Sequence, residues 1–217
     1  MTAKLKNALW ISGVLAAIIL VGSVIYNQLG NTQTLVRQLP YYDVTPSDGK
    51  PHYVKPFQFT DQQDHAVSEQ TVNGKIYVAE FFFCNCQGIC PVMNKQMMRI
   101  AARYKSENDF MILSHTVKPR EDTVTALFQY ANAHHANYAQ WRFLTGNENE
   151  IFDMARNAYM VAEPQYALGD DFVHTEYFSL VDKNKQVRGL YDGTDSLAID
   201  SLMNDIDLLL QQQRLSH

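Results

Sequence analysis

The chain is poor in cysteine: 217 residues carry three, and all three fall in one stretch, Phe83-Cys84-Asn85-Cys86-Gln87-Gly88-Ile89-Cys90-Pro91. Three thiols can form at most one intramolecular disulfide and leave one over. A basic cluster is also missing. The formal net charge is -5, and Lys and Arg nowhere gather into a patch, which excludes nucleic acid as a partner. No internal repeat or low-complexity segment interrupts the chain, and 46% hydrophobic with 19% charged residues suits one globular domain plus an appendage.

Only one long uncharged apolar run occurs, ALWISGVLAAIILVGSVIY from Ala8 to Tyr26. Its length is close to the roughly 20 residues that cross a bilayer as a helix. Lys4 and Lys6 precede it and no Lys or Arg follows until Arg37, so the positive-inside bias puts the N-terminus in the cytoplasm. No small-x-small cleavage site follows Ser23-Val24-Ile25-Tyr26, which favours an uncleaved anchor over a removed signal, and no cysteine lies near its end to take a lipid. The expected organisation is a cytoplasmic N-terminus (1–7), a transmembrane anchor (8–26), a Pro-rich linker (27–55) and a domain (56–217) on the extracytoplasmic, periplasmic side. Disulfides persist in such a compartment, so the odd thiol needs a role of its own.

Within the domain, Phe57-Gln58-Phe59 and Ala66-Val67 suggest a small hairpin, and Asn73-Gly74 resets the chain. Ile76 to Phe83 is a β-prone apolar run, as in a central strand covered on both faces. Pro91 suits the first turn of a helix whose buried stripe is Met93, Met97, Ile100, Ala101 and Tyr104. Phe110–Thr116 reads as a strand. Asp122-Thr123 then caps a helix facing inward with Val124, Leu127, Phe128 and Ala131. A strand at 142–145 and a helix marked by Ile151, Met154, Ala155 and Ala158 come next. The hairpin Tyr177–Val181 and Val187–Tyr191 and a closing helix from about Asp195 follow. This alternation predicts an α/β protein, a mixed central sheet flanked by helices on the thioredoxin-like plan.

Cys86 and Cys90 are four apart at a helix entrance, so both sulfurs can approach one point. Exposed helix N–H groups there favour thiolates and can lower a cysteine pKa. Two soft anionic sulfurs suit Cu(I), or zinc where four ligands close the shell. Read alone, the CxxxC spacing equally fits an inert disulfide. The compound pattern says more: apolar strand, Phe-x-x-Cys-x-x-x-Cys-Pro, helix, and much later His174 just before the strand Tyr177–Val181.

The segment Glu80-Phe81-Phe82-Phe83 with Cys86-Gln87-Gly88-Ile89-Cys90-Pro91 resembles the Sco (SenC-type) proteins, membrane-anchored thioredoxin-fold copper chaperones of cytochrome c oxidase assembly. Further matching blocks are Ile112 to Val117 with Pro119 and Asp122-Thr123, then Trp141 to Gly146, His174 ahead of Phe178 to Asp182, and Tyr191-Asp192-Gly193. The resemblance runs from about Pro56 to Leu210. It implies a copper site made of Cys86, Cys90 and His174 that serves both Cu(I) and Cu(II), because two thiolates suit the reduced ion and an imidazole suits either. It also implies the copper-site subunit of cytochrome c oxidase as a partner, with a copper donor or thiol reductase upstream.

Two positions depart from the family pattern. Cys84 stands where relatives usually carry no thiol, and three roles are open to it: third copper ligand, resolving thiol for Cys86 or Cys90, or buried bystander. Lys118 stands where many relatives are acidic, and it either favours anionic neighbours or simply points to solvent. His115 reads as a core or surface residue more readily than as a partner of the ligands, while His134 and His135 read as solvated. Asp170 and Asp171 read as loop residues, with orientation of His174 as their other role. The competing function is a thiol-disulfide oxidoreductase using Cys86 and Cys90, with Cys84 as a further redox candidate. The CxxxC spacing, in place of the CxxC of thioredoxin-type enzymes, favours copper. No set of hydroxyl and arginine donors around one cysteine supports a peroxidase.

Overall fold

The computed structural model describes residues 18–23, 53–161 and 175–215. The chain divides into two units, 1–38 and 39–217. In the first, residues 18–23 are helical with exposed side chains; the rest of the expected anchor and nearly all of the linker lie outside the described residues. Among the described residues no helix is long and apolar enough to cross a membrane.

The second unit is built on a sheet of seven strands: β1 Gln58–Asp61, β2 Ala66–Ser68, β3 Ile76–Phe82, β4 Phe110–Thr116, β5 Trp141–Thr145, β6 Tyr177–Val181 and β7 Val187–Asp192. Their spatial order is β2-β1-β5-β4-β3-β6-β7. The central β5, β4 and β3 are parallel, and the outer pairs run antiparallel. Tyr53 and Val54, read as linker, already belong to this body: Val54 is buried and its N–H donates to the Lys185 carbonyl at 2.8 Å.

The helices are α1 Cys90–Arg103, α2 Val124–Ala133, α3 Glu148–Asp153 and α4 Ser196–Leu215. The steps from β3 to β4 and from β4 to β5 run in the same direction across the sheet, so right-handed crossovers put α1 and α2 on one face. That face holds one core, where Val78 and Phe82 meet Met93, Met97, Ile100, Leu127, Ile199 and Ile206. The other face carries a second core of Tyr77, Ala79, Phe81, Leu113, Ile151, Met154 and Tyr159. With apolar packing on both sides, all seven residues of β3 and all seven of β4 are buried, as a continuous apolar run requires.

Two local outcomes differ from the sequence pattern. The helix over residues 148–158 is α-helical only to Asp153 and continues as a π-helix over Met154–Ala158, where Tyr159 N–H reaches back to the Met154 carbonyl. The wider turn delivers the Tyr159 ring into the second core, edge-on to Tyr77 at 6.2 Å. On α2, Leu127 and Ala131 are buried as expected, but Phe128 is exposed and packs laterally on Tyr138. Tyr130 takes the inward place instead, against Phe82 and Phe143. The inward stripe of this ten-residue helix runs through 127, 130 and 131 and continues to the C-cap residue 134, a helical i, i+3, i+4, i+7 set.

The β6–β7 turn depends on Asp182. One carboxylate oxygen accepts the Asn184 and Gln186 N–H groups at 2.8 and 3.0 Å, and the other accepts from Arg188 at 2.7 Å, with both side chains buried. Asp182→Ala leaves the Arg188 charge buried and two turn N–H groups open. The expected loss of stability is about 3 kcal/mol, read by urea denaturation; a loss below about 1 kcal/mol contradicts this role.

Candidate thiol and metal site

Strand β3 ends at Phe82, and the chain turns through Phe83 to Ile89 before α1 begins at Cys90. Cys86 N–H donates to the Phe83 carbonyl at 3.3 Å, folding the loop back, and Pro91 occupies the first turn of α1, where a missing N–H costs nothing. Cys90 is buried, and Cys84 and Cys86 are partly exposed, all three thiols being free. The Cys86 and Cys90 thiols are neighbours that act on each other electrostatically. Cys86 lies in the loop and Cys90 is the first residue of α1, so the pair flanks the helix entrance.

The acidity of Cys90 departs from expectation. Burial pushes the Cys90 thiol up to about 12, with the Cys86 thiol and the Glu80 charge adding to it, and the Phe83 backbone offsetting only part. Exposed helix N–H groups lower a cysteine pKa only when the sulfur is also solvated or paired with a cation. Cys90 is packed into the core.

Cys84 has different company. Burial, and then the negative charge of the Asp122 carboxylate, hold its thiol well above the ordinary thiol range. Asp122 is itself buried. Its Oδ2 accepts the Cys84 N–H at 3.1 Å and the Thr116 hydroxyl, while Thr116 Oγ1 in turn accepts Lys118 N–H at 3.0 Å. Among the described residues no three His, Cys, Asp or Glu side chains converge as a metal-ligating group. His174, Asp170 and Asp171 lie outside the described residues.

The SCO1/SenC family model matches residues 45–211, more than three quarters of the chain. The chain belongs to the SCO1/SenC family. The SCO1 protein homolog of Bacillus subtilis is 30% identical over 155 residues, covering 70% of this chain and 80% of that protein. The structure of BsSco, a member of the Sco family of cytochrome c oxidase assembly proteins in which a disulfide switch was identified, aligns at 31% identity. Its TM-score is 0.62, with 74% of this chain and 94% of that one covered. The copper-bound crystal structure of yeast Sco1 shares the fold at 23% identity and a TM-score of 0.55, covering 72% and 90%. These likenesses bear out the thioredoxin-like reading.

Lys118, the second departure from the Sco pattern, is exposed. Its Nζ sits 4.6 Å above the Phe83 ring and 3.8 Å from Glu121, a solvated position with a cation-π contact. His115 is fully buried in the second core, stacked on Phe81 at 5.0 Å and edge-on to Phe59 at 5.5 Å, on the sheet face away from α1. Neither ring nitrogen makes a hydrogen bond of ordinary geometry, and the nearby Glu80 and Leu113 backbone offsets only part of the burial, which pushes its pKa down to about 4. His135 is exposed as expected, but His134 is half-buried. Its ring lies 4.4 Å from that of Tyr130, with the Asn94 amide within 2.8 Å of its Nε2.

Sequence reasoning missed Asp122, Glu80, Asn94 and Tyr130. Glu80 had a signal, a single carboxylate inside an apolar strand run. It is buried below the thiols and accepts from the Ser114 hydroxyl at 2.5 Å, and that hydroxyl accepts the Trp141 indole N–H at 2.8 Å. Desolvation pushes Glu80 up to about 7.

Glu80 and His115 therefore pull stability in opposite directions. Glu80 keeps its proton in the fold after the unfolded chain has lost it, so its term falls as pH rises from about 4.5 to 7. His115 resists protonation in the fold, so its term falls as pH drops from about 6.5 to 4. Each is worth up to roughly 3 kcal/mol, and they offset one another in the overlap. Urea denaturation across this range is expected to show Glu80→Gln gaining on the wild type as pH rises, and His115→Phe gaining as pH falls. Differences that do not change with pH contradict both assignments.

Proposed function

We propose that this protein is a membrane-anchored copper-binding metallochaperone, which holds copper through Cys86, Cys90 and His174 and delivers it to, or prepares, the copper A site of cytochrome c oxidase. The observation that carries this reading is the pair of neighbouring thiols, Cys86 and Cys90, at the entrance of α1 in a chain of the SCO1/SenC family. Each thiol releases its proton on binding a soft ion, and Cu(I) accepts such a low-coordinate sulfur pair. The donor chemistry fits copper, and the copper-bound state of yeast Sco1 supports the choice. A neutral imidazole from His174 adds the ligand that also suits Cu(II). Cys84, engaged by Asp122, stands outside this ligand set.

The anchor is supported by the uncharged run from Ala8 to Tyr26, within which residues 18–23 are helical. It places the domain in the periplasm, beside a partner embedded in the same membrane. The oxidase subunit as partner rests on the family's link to oxidase assembly, BsSco being a member of the Sco family of cytochrome c oxidase assembly proteins.

A second reading, a thiol-disulfide oxidoreductase acting through Cys86 and Cys90, is favoured by one observation. Cys86 and Cys90 are neighbouring free thiols, and BsSco contains a disulfide switch. Oxidation of the pair empties the copper site, so one pair of sulfurs serves either chemistry but not both at once.

Copper titration of the reduced protein under anaerobic conditions separates the readings. Wild type and Cys84→Ser are expected to bind one copper tightly, Cys86→Ser and Cys90→Ser to lose tight binding, and His174→Ala to weaken it, most for Cu(II). Wild type that binds no copper yet exchanges rapidly with a disulfide substrate favours the oxidoreductase instead.

A further inference from the structure

The stretch Cys84–Ile89 is held to the rest of the domain by few bonds. Asn85, Gln87 and Gly88 are exposed, and a Cβ added at Gly88 would meet nothing within 4 Å, so the outer side of the loop is open. Cys86 N–H turns back to the Phe83 carbonyl, and the Ile89 carbonyl accepts from Val92 and Met93 in the first turn of α1. Among the described residues, one backbone hydrogen bond leaves this stretch for a distant segment: Cys84 N–H donates to Asp122 Oδ2 at 3.1 Å, across 38 positions of sequence. The acceptor is itself braced. Asp122 is 2% exposed and sits one residue before Thr123, the N-cap of α2. Its N–H and that of Glu121 donate to the Lys118 carbonyl at 2.9 and 3.0 Å, which closes a turn, and Val117 N–H ties the start of that turn to the Phe82 carbonyl at 2.8 Å. The buried Thr116 hydroxyl donates to the same Asp122 Oδ2 while accepting Lys118 N–H at 3.0 Å. One carboxylate oxygen thus joins the last residue of β4 to the second residue after β3. A hydrogen bond from an N–H to a buried carboxylate is stronger than one between neutral groups.

We propose that Asp122 is a positioning residue of the thiol site: by accepting Cys84 N–H it fixes the loop that carries Cys86, so that Cys86 and Cys90 are presented together to a single soft ion. This deepens the function proposed above and rests on it only for the identity of the working pair. Cys90 needs no such tether, because it is buried and belongs to α1 itself. Cys86 is partly exposed on the loop, and its place is set by how the loop is held. Two donors bind one ion tightly when they are already in place, whereas ordering a loose loop at the moment of binding subtracts from the affinity. Asp122 acts through the backbone of the loop, and Thr116 acts through Asp122.

The test uses the full chain, reduced and anaerobic, in a Cys84→Ser background that keeps the backbone N–H and leaves a single pair of thiols. Hydrogen exchange of the amide at position 84 reads the tether, and affinities for Cu(I) and for phenylarsine oxide read the pair. The arsenical forms two As–S bonds, and its oxygen leaves as water with the two thiol protons while arsenic stays trivalent, so it reports on the sulfurs without copper. Asp122→Ala is expected to speed exchange at position 84 about tenfold. It is expected to weaken both ligands by about tenfold to a hundredfold. Asp122→Asn keeps an acceptor oxygen and is expected to recover most of each loss. Thr116→Val keeps the shape of the side chain and is expected to weaken both ligands about threefold; it carries the test if Asp122→Ala does not fold. A merely structural role lowers the thermal midpoint and leaves the affinities of the folded protein alone. Wild-type affinities in Asp122→Ala and Thr116→Val therefore overturn the proposal, and so does an unchanged exchange rate at position 84. A chain that takes the arsenical but not Cu(I) loses the chaperone reading, and its arsenical affinities still decide for or against Asp122.

Discussion

The functional end of this molecule depends on one buried carboxylate. Asp122 receives the Cys84 N–H of the cysteine loop and the hydroxyl of Thr116 at the end of β4, and it sits one residue before the N-cap of α2. The cysteine loop and the β4–α2 connection, far apart in sequence, are tied at a single side chain. A buried anion is tolerable only when its lone pairs are used in this way, and such saturation also makes the junction rigid.

The sheet carries the other constraint. Strands β3 and β4 are covered on both faces, so any polar residue within them is buried without water. Glu80 and Ser114 face the α1 side and answer each other with a hydrogen bond that Trp141 extends. His115 faces the opposite core and is held by aromatic contact rather than by hydrogen bonds. A carboxyl and an imidazole thus sit on opposite faces of adjacent strands, each kept neutral by desolvation near the middle of the acidic range.

Much of this was legible in the sequence because it is periodic or punctuated. The run from Ile76 to Phe83, the helical stripe Met93-Met97-Ile100 and the turn at Asp182 to Gln186 each carry a local pattern, and the Cys86/Cys90 pair falls where strand and helix must meet. What could not be read was set by contacts between distant segments. Nothing local distinguishes Asp122 from an ordinary residue ahead of a capping threonine, nor reveals that Tyr130 rather than Phe128 turns inward. The π-turn after Asp153 obeys the needs of the second core, where Tyr159 packs against Tyr77. The low acidity of Cys90 follows from burial that spacing alone does not report. The proposed third ligand, His174, comes from the family pattern, in a segment outside the described residues.

The central claim is that copper is held by the sulfurs of Cys86 and Cys90 and the imidazole of His174, with Cys84 apart. Copper K-edge X-ray absorption on the anaerobic, copper(I)-loaded protein tests it most directly, because it counts ligands by element. The account predicts two sulfur scatterers and one imidazole nitrogen. Three sulfurs would bring Cys84 into the shell, and a shell of nitrogen and oxygen alone would contradict the site.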